Sequence, residues 1–295
     1  LIHSLVGTAG IRNDQAFQRH FRDVHVITQH AFVCESRMEA VGRSVSVSTR
    51  TGRSCISRVV ATASSAHRAV GLCGSADRAR WREDVDALRR QRQARLEAEG
   101  RLDTQPLKPQ RVYAELRRAL PPDTIVTLDA GAAPAYGYDR LAFARPRTFL
   151  TPLDLGGLGF AFPVALGAKL GRPEAPVLAI HGDGGFLMNV QELETAVRHQ
   201  INAVTLVMNN NCWGSEKAYQ RAFYGGRYIG CDIGNPRYDQ LARLFGAQGY
   251  YVEKPDQIGD AVRAAFAAGK PAVIEIPIDP DELPTPATAA RRSGA

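Results

Sequence analysis

The sequence predicts an α/β fold in which a doubly wound, mostly parallel β-sheet carries helices on both faces, preceded by a helical and irregular N-terminal region. Between residues 105 and 284, short apolar, β-branched runs alternate with helical stretches, which is the pattern of βαβ units. In addition, 44% of the 295 residues are hydrophobic and 23% are charged, so the chain has enough apolar material for the core of a globular domain.

The N-terminal region is divided into two parts. Residues 1–42 are predicted to be an amphipathic helical segment, because apolar residues recur at spacings of three and four from Phe17 to Val41. Residues 43–104 are interpreted as a linker and a lead-in helix. The linker is rich in Ser, Arg, Ala and Thr without a sustained period, whereas residues 77–99 place Trp81, Val85 and Leu88 on one side of a charged helix.

Residues 105–284 are predicted to form the α/β domain, and residues 285–295 a flexible tail. The predicted elements are, in chain order, the helix QRVYAELRRAL, the strand DTIVTLDAG, the strand APVLAIHGDGG, the helix NVQELETAVRHQ, the strand AVTLVMNNN, the helix YDQLARLFGAQG, the strand YYVEK, the helix QIGDAVRAAFAAG and the strand PAVIEIPID. Ligands of open parallel sheets bind beyond the carboxyl ends of the strands, so the loops there are the places to look for a site.

Charge and cysteine content narrow the function classes. The net charge of +7 belongs mostly to residues 1–104, which hold 17 Arg, no Lys and 11 acidic residues. No aromatic-interleaved basic stripe accompanies them, so nucleic-acid binding is the least favoured function. The five cysteines lack the spacing of a zinc site or a disulfide framework, which indicates a reducing cytoplasm. No run of 18 apolar residues is present, so no membrane partner is expected.

Two polar loops follow neighbouring strands of the predicted sheet. Asp183 lies in a Gly-Asp-Gly turn after one strand, and Asn210 lies in an Asn-rich loop after the next. A right-handed crossover brings the two strand ends side by side. Carboxylate and amide oxygens suit Mg²⁺, which also takes phosphate oxygens, and the glycines around Asp183 let backbone N–H groups approach an anion at the start of a helix. The spacing predicts a metal-bridged diphosphate.

The segment GDGGFLMNVQELETAV followed by NNN resembles the thiamine diphosphate (ThDP) binding motif of the acetolactate synthase and sulfoacetaldehyde acetyltransferase group of ThDP-dependent enzymes. The resemblance covers about residues 105–280. It implies that Mg²⁺ is bound by Asp183, Asn210 and the backbone carbonyl of Cys212, although the third asparagine leaves the register within 209–211 open. The cofactor-binding residues that it implies are Gly156, Leu158, Gly182, Gly184, Gly185, Asn210, Trp213 and Gly214.

Two further segments carry this resemblance. LGGLGFAFPVALGAK is similar to the family's loop that holds the aminopyrimidine ring, with the carbonyl of Gly156 facing the 4′-amino group and Leu158 supporting the bent cofactor. NNNCWGSEKAYQRAFYGGRYIG is most similar to sulfoacetaldehyde acetyltransferases and implies that Glu216 and Lys217 lie on the substrate side; an exposed helix start is the alternative. Asp129 to Gly131 match a turn that lines the pocket. Residues 13–42 resemble the last helix of acyl-CoA dehydrogenase-like flavoproteins and imply no activity.

The resemblance also defines what is missing. In the family, a glutamate from a separate pyrimidine-binding domain activates ThDP, and neither Glu35 nor Glu39 has a matching sequence context. The chain is therefore expected to be an enzyme only when a pyrimidine domain complements it, in a homodimer or higher oligomer or with a separate pyrimidine-domain chain. Its substrate would be a 2-oxo acid or aldehyde. The alternative is a truncated or fused gene product that binds ThDP without turnover.

Overall fold

A computed structural model describes residues 75–152 and 155–284. The described residues from Asp86 onward form one compact unit, which contains all the strands of the described ranges and the polar loops. Of the other unit, Leu1–Val85, only residues 75–85 are described, at the start of a helix. The predictions for the helix at 13–42, the linker up to residue 74, Glu35, Glu39 and the tail at 285–295 lie outside the described residues.

The described residues form ten helices and six strands. The helices are α1 Ser75–Glu99, α2 Pro109–Ala119, α3 Ala132–Ala135, α4 Gly137–Arg140, α5 Ala161–Gly171, α6 Asp183–Met188, α7 Glu192–Arg198, α8 Gly214–Phe223, α9 Tyr238–Phe245 and α10 Pro255–Ala267. The strands are β1 Ile125–Leu128, β2 Phe149–Leu150, β3 Val177–Gly182, β4 Val204–Asn209, β5 Gln248–Tyr251 and β6 Ala272–Pro277.

The six strands form one sheet in the order β2-β1-β3-β4-β6-β5, and every pair is parallel. The doubly wound α/β fold predicted from the sequence is confirmed. The strands β3 and β4 are direct neighbours, with Gly182 paired to Met208, so the turn after β3 and the loop after β4 emerge side by side. The crossover rule predicted this adjacency, and it creates the candidate site.

The sheet is buried on both faces, and alternate residues of each strand serve opposite layers. On β3, Leu178 and Ile180 belong to the core layer that includes residues of α2 and α10. Val177 and Ala179 belong to the opposite layer, with residues of α5, α7 and α9. Burial on both faces explains why the strands read as continuous apolar runs. No helix within the described ranges has the length and apolar character needed to cross a bilayer.

Some elements are absent from the predicted order. β2 has two residues, too short for a periodic pattern, and α3 and α4 have four residues each. α6 is a single short helix that begins at Asp183 itself, so the Gly-Asp-Gly turn is the junction of a strand and a helix. α5 begins inside LGGLGFAFPVALGAK, so only the glycine-rich first part of that segment is a loop.

Candidate functional site

The carboxylate of Asp183 lies at the end of β3 and is 2% exposed. Its Oδ1 accepts a hydrogen bond from the backbone N–H of Gly184 at 3.0 Å, and its Oδ2 accepts one from Nδ2 of Asn235 at 2.7 Å. Burial raises the pKa of Asp183 above its ordinary value, while these two hydrogen bonds act in the opposite direction. A carboxylate that burial penalises in this way is well suited to a neighbouring cation.

The three asparagines after β4 have different surroundings. Asn209 donates from Nδ2 to Oε1 of Glu275 at 2.9 Å, inside the sheet. Asn211 is exposed and has a positive φ of 53°. Asn210, 6% exposed, directs the end of its amide to Oδ1 of Asp183 and to the carbonyl oxygen of Cys212, at 3.3 and 3.0 Å. Of these three asparagines, only Asn210 faces Oδ1 of the Asp183 carboxylate in this way.

This amide can be placed in two orientations, and each has a physical meaning. When the amide nitrogen of Asn210 faces these two groups, it donates hydrogen bonds to Asp183 and to the Cys212 carbonyl. When its oxygen faces Asp183 and the Cys212 carbonyl, three oxygens lie close together: the carboxylate oxygen of Asp183, the amide oxygen of Asn210 and the backbone oxygen of Cys212. Three convergent oxygens without a hydrogen between them are the ligand set of a hard cation. The donor chemistry at this edge of the sheet therefore fits a magnesium ion.

Two glycines of the turn are in contacts that exclude a side chain. A Cβ on Gly184 would lie 2.4 Å from the ring of Trp213, and one on Gly185 would lie 2.3 Å from Oδ2 of Asp129. The turn after β3 is therefore packed directly against the loop after β4 and the end of β1. These contacts place the indole of Trp213 beside the backbone that the sequence predicted to bind diphosphate.

The loop that contains Gly156 and Leu158 approaches the same turn. A methyl carbon of Leu158 lies 3.8 Å from the position that a Cβ on Gly185 would occupy. Gly156 has φ of +65° and Gly159 has φ of +80°, values that favour glycine, so this loop needs both residues for its path. The predicted aminopyrimidine loop thus approaches the predicted diphosphate turn through the side chain of Leu158.

Asp129 anchors this loop. Its carboxylate is fully buried and accepts hydrogen bonds from the backbone N–H groups of Gly159 at 3.0 Å and Phe160 at 2.9 Å. Oδ2 also lies 2.9 Å from Nδ1 of His181, which is fully buried as well. The sequence placed Asp129 in the lining of a pocket. In the structure, its carboxylate connects the ends of β1 and β3 to the loop, and the place of Asp129 to Gly131 in the lining of the cofactor pocket stays a prediction.

Glu216 and Lys217 lie on α8, which begins two residues after Cys212. Lys217 donates from Nζ to the carbonyl of Pro280 at 3.2 Å and to Oδ1 of Asp281 at 3.1 Å. Its ammonium group therefore binds the segment after β6. Glu216 is exposed at the start of the helix. These contacts give Lys217 a structural role. Its proposed place on the substrate side stays a prediction.

Three residues beside Asp183 carry no motif in the sequence. They are Asn235, Tyr238 and Glu275, and all are hydrogen-bonded into the polar cluster behind the carboxylate. Asn235 is 52 positions from Asp183 along the chain. Tyr238 fits the apolar face of α9, and Glu275 is one acidic residue in an apolar strand. The sequence offered one indication of this cluster: an acidic residue, Glu275, in the middle of the apolar strand PAVIEIPID. Such a buried group needs a hydrogen-bonding partner.

Fold and site together define the class of the protein: a doubly wound α/β domain that binds a cofactor at the carboxyl ends of adjacent parallel strands. The family model described as thiamine pyrophosphate enzyme, C-terminal TPP binding domain, matches residues 129–276. The chain belongs to this family, and its α/β domain is a ThDP-binding domain. A second model, acyl-CoA dehydrogenase, C-terminal domain, matches residues 1–35, which overlap the stretch at 13–42 whose sequence resembles flavoproteins.

Individual relatives agree with this assignment. The sulfoacetaldehyde acetyltransferase of Alcaligenes xylosoxydans xylosoxydans is 35% identical over 174 residues, which are 58% of this chain and 29% of that protein. A probable acetolactate synthase large subunit of Methanococcus aeolicus is 32% identical over 206 residues, 68% of this chain and 34% of the relative. The chain thus spans about a third of the length of the relatives that it matches.

A solved structure gives the same result for the fold. The thiamine diphosphate-dependent 4-hydroxybenzoylformate decarboxylase of Rhodococcus jostii RHA1 superposes with a TM-score of 0.58 at 26% identity, covering 61% of this chain and 34% of that one. The shared part is similar in extent to the predicted α/β domain at residues 105–284.

Proposed function

We propose that this domain binds ThDP through Mg²⁺ held by Asp183, Asn210 and the backbone carbonyl of Cys212. The observation that carries the proposal is the approach of the Asn210 amide to both Oδ1 of Asp183 and the Cys212 carbonyl. Gly182, Gly184 and Gly185 would supply the backbone facing the diphosphate, with Trp213 and Gly214 flanking it. Gly156 and Leu158 would receive the aminopyrimidine half of the cofactor.

The activity proposed for this domain is that of an acetolactate synthase-like decarboxylase or carboligase acting on a 2-oxo acid or an aldehyde. ThDP, when bound, supplies the electron sink for decarboxylation and group transfer. The residues of this chain bind the cofactor, orient it and exclude water. Activation is proposed to require the glutamate of a pyrimidine-binding domain, within an oligomer.

Exposed apolar side chains beside the site support a covering domain. Leu155, in the loop next to Gly156, is 91% exposed, and Met188, whose Cβ adjoins Gly159, is 50% exposed. Beyond the asparagine loop, Tyr224 and Ile229 are 58% and 82% exposed. Apolar residues gathered around a site are typical of a surface that another domain covers.

The fluorescence of Trp213 can be used to follow cofactor binding, because the Trp213 ring lies against Gly184 in the proposed diphosphate turn. Titrating the full chain with ThDP and Mg²⁺ is expected to change its tryptophan fluorescence saturably, and chelating the metal with EDTA should reverse the change. The chain has two tryptophans, and the other, Trp81, is 55% exposed on α1. Trp213→Phe should therefore remove the signal. Absence of both a fluorescence change and calorimetric heat at millimolar ThDP would refute the proposal.

Turnover is expected to depend on complementation. The full chain alone, with ThDP and Mg²⁺, should decarboxylate pyruvate at background rate, and adding a separately produced pyrimidine-binding domain of an acetolactate synthase should raise the rate. The measurement is CO₂ release, with the Asp183→Ala variant as the inactive control. If ThDP binds but every pairing stays at background, the reading as a cofactor-binding protein without turnover replaces the enzymatic one.

A further inference from the structure

A buried polar network lies directly behind the Asp183 carboxylate. Glu275, 1% exposed on β6, accepts hydrogen bonds on Oε1 from Asn209 and on Oε2 from the backbone N–H of Tyr238 at 2.8 Å. Asn209 in turn presents its Oδ1 to Nδ2 of Asn235 at 2.9 Å. Asn235 completes the chain by donating to Oδ2 of Asp183. The network thus runs from the middle of the sheet to the proposed metal ligand.

Each amide in this network is held in one orientation. Asn209 must direct its nitrogen to the Glu275 carboxylate, so its oxygen faces Asn235. The nitrogen of Asn235 must face the acceptor oxygens of Asp183 and Asn209, so its Oδ1 faces the hydroxyl of Tyr238 at 2.8 Å. That hydroxyl also lies 3.2 Å from the carbonyl oxygen of Asp183. The nitrogen of Asn235 lies 3.2 Å from Oδ1 of Asn211, in the loop after β4. Asn235 therefore joins the two loops that carry the proposed metal ligands.

The consequence concerns the two oxygens of Asp183. Each oxygen accepts one hydrogen bond, Oδ2 from Asn235 and Oδ1 from the backbone N–H of Gly184, and of the two it is Oδ1 that faces the Asn210 amide. A carboxylate held in this way offers a single oxygen to a cation. Mg²⁺ requires near-ideal octahedral geometry and suits a single oxygen, whereas Ca²⁺ accepts both oxygens of a carboxylate and a less regular arrangement.

We infer that Asn235, oriented by Tyr238, is a positioning residue that holds Asp183 as a one-oxygen ligand and thereby sets the preference of the site for Mg²⁺ over Ca²⁺. The inference rests on the proposed function, because it assumes that Asp183 binds the metal. It assigns Asn235 no contact with the metal or with the cofactor. Its effect is on the geometry and the selectivity of the neighbouring carboxylate.

The test measures metal selectivity in the full chain. Metal-free protein with a fixed concentration of ThDP is titrated with Mg²⁺ and, separately, with Ca²⁺, and binding is followed by Trp213 fluorescence. In Asn235→Ala, the apparent affinity for Mg²⁺ is expected to fall about 10- to 100-fold, the usual effect of removing a partner of a metal ligand. The affinity for Ca²⁺ should fall less, because the freed carboxylate can use both oxygens. The ratio of the two affinities therefore decreases.

Two further variants separate a positioning role of Asn235 from general disruption of the site. Tyr238→Phe keeps the ring that packs edge to face on Phe186 at 5.5 Å and removes only the hydroxyl, so it should shift the ratio in the same direction by less. In the Asn235→Ala background, Tyr238→Phe should add less than it does alone, since part of its effect acts through the amide and part through the carbonyl oxygen of Asp183, which lies 3.2 Å from the hydroxyl. Asn202→Ala removes a partly buried amide before the amino end of β4 and should leave both affinities unchanged.

The outcomes are distinguishable. If the wild-type chain shows no metal-dependent ThDP binding, the proposed function fails. If it binds, and Asn235→Ala loses affinity for both metals equally or for neither, the function stands and the positioning role of Asn235 is overturned. Where Asn235→Ala does not fold, an unchanged selectivity ratio in Tyr238→Phe overturns the inference instead.

Discussion

Asp183→Ala is expected to abolish Mg²⁺-dependent ThDP binding, lowering the affinity by more than about 100-fold, beyond the usual effect of losing a partner of a metal ligand. The substitution removes the one carboxylate that faces Asn210 and the Cys212 carbonyl. The measurement is calorimetric titration of the full chain with ThDP at saturating Mg²⁺. Normal binding by this variant would show that the metal assignment is wrong.

The fold of the Asp183→Ala variant is expected to survive. Because burial raises the pKa of Asp183, the folded chain binds a proton at this carboxyl more tightly than the unfolded chain does. The ionised group therefore costs stability at neutral pH, and its removal offsets the loss of the hydrogen bonds from Gly184 and Asn235, so Tm should change little. The matched control is Asp232→Ala, which removes an exposed carboxylate from the residue paired with Cys212 and should leave ThDP binding nearly unchanged.

Asp129→Asn is expected to destabilise the domain and also to weaken cofactor binding. An amide has one oxygen, so at least one of the N–H groups of Gly159 and Phe160 would face a donor in place of a carboxylate oxygen. Loss of a buried hydrogen bond to a charged group costs about 2 kcal/mol, which lowers Tm by roughly 4 to 8 °C in a domain of this size. The measurements are thermal unfolding and ThDP titration.

Thr127→Val provides the comparison for Asp129→Asn. Thr127 lies on β1, two residues before Asp129, and donates one neutral hydrogen bond to the carbonyl of Ala161 at 2.8 Å. Its replacement should cost about 1 kcal/mol and leave the ThDP affinity unchanged, because the loop at 156–160 keeps its anchor. Equal losses of ThDP affinity in the two variants would indicate that Asp129 has no particular role in holding the loop.

The strands and longer helices of the domain were predictable because each depends on a local pattern of apolar and polar residues. Runs such as VLAI and VTLV are buried on both sides, and the alternation with helices gives the parallel sheet. The neighbouring positions of Asp183 and Asn210 followed from the handedness of one crossover. Two-residue β2 and four-residue α3 escaped prediction because they are shorter than any hydrophobic period.

The site was only partly accessible to such reasoning. Asp183, Asn210 and Cys212 were found because their spacing is local and matches a known family. Asn235 and Glu275 were not, since the partner of each is a polar group far along the chain that becomes a neighbour only in the sheet. Lys217 was assigned from a motif, and its ion pair with Asp281, 64 residues away, became visible only in the structure.

The sequence by itself determined the fold class, the family and the three residues proposed to bind the metal, because burial patterns and short motifs depend on residues close together in the chain. Only the tertiary structure decided which of the three asparagines faces Asp183, and which oxygen of that carboxylate faces the asparagine. Those choices depend on hydrogen bonds between β3, β4, β6 and the loop before α9. The direction of an amide or a carboxylate is set by whatever donors and acceptors the fold brings beside it.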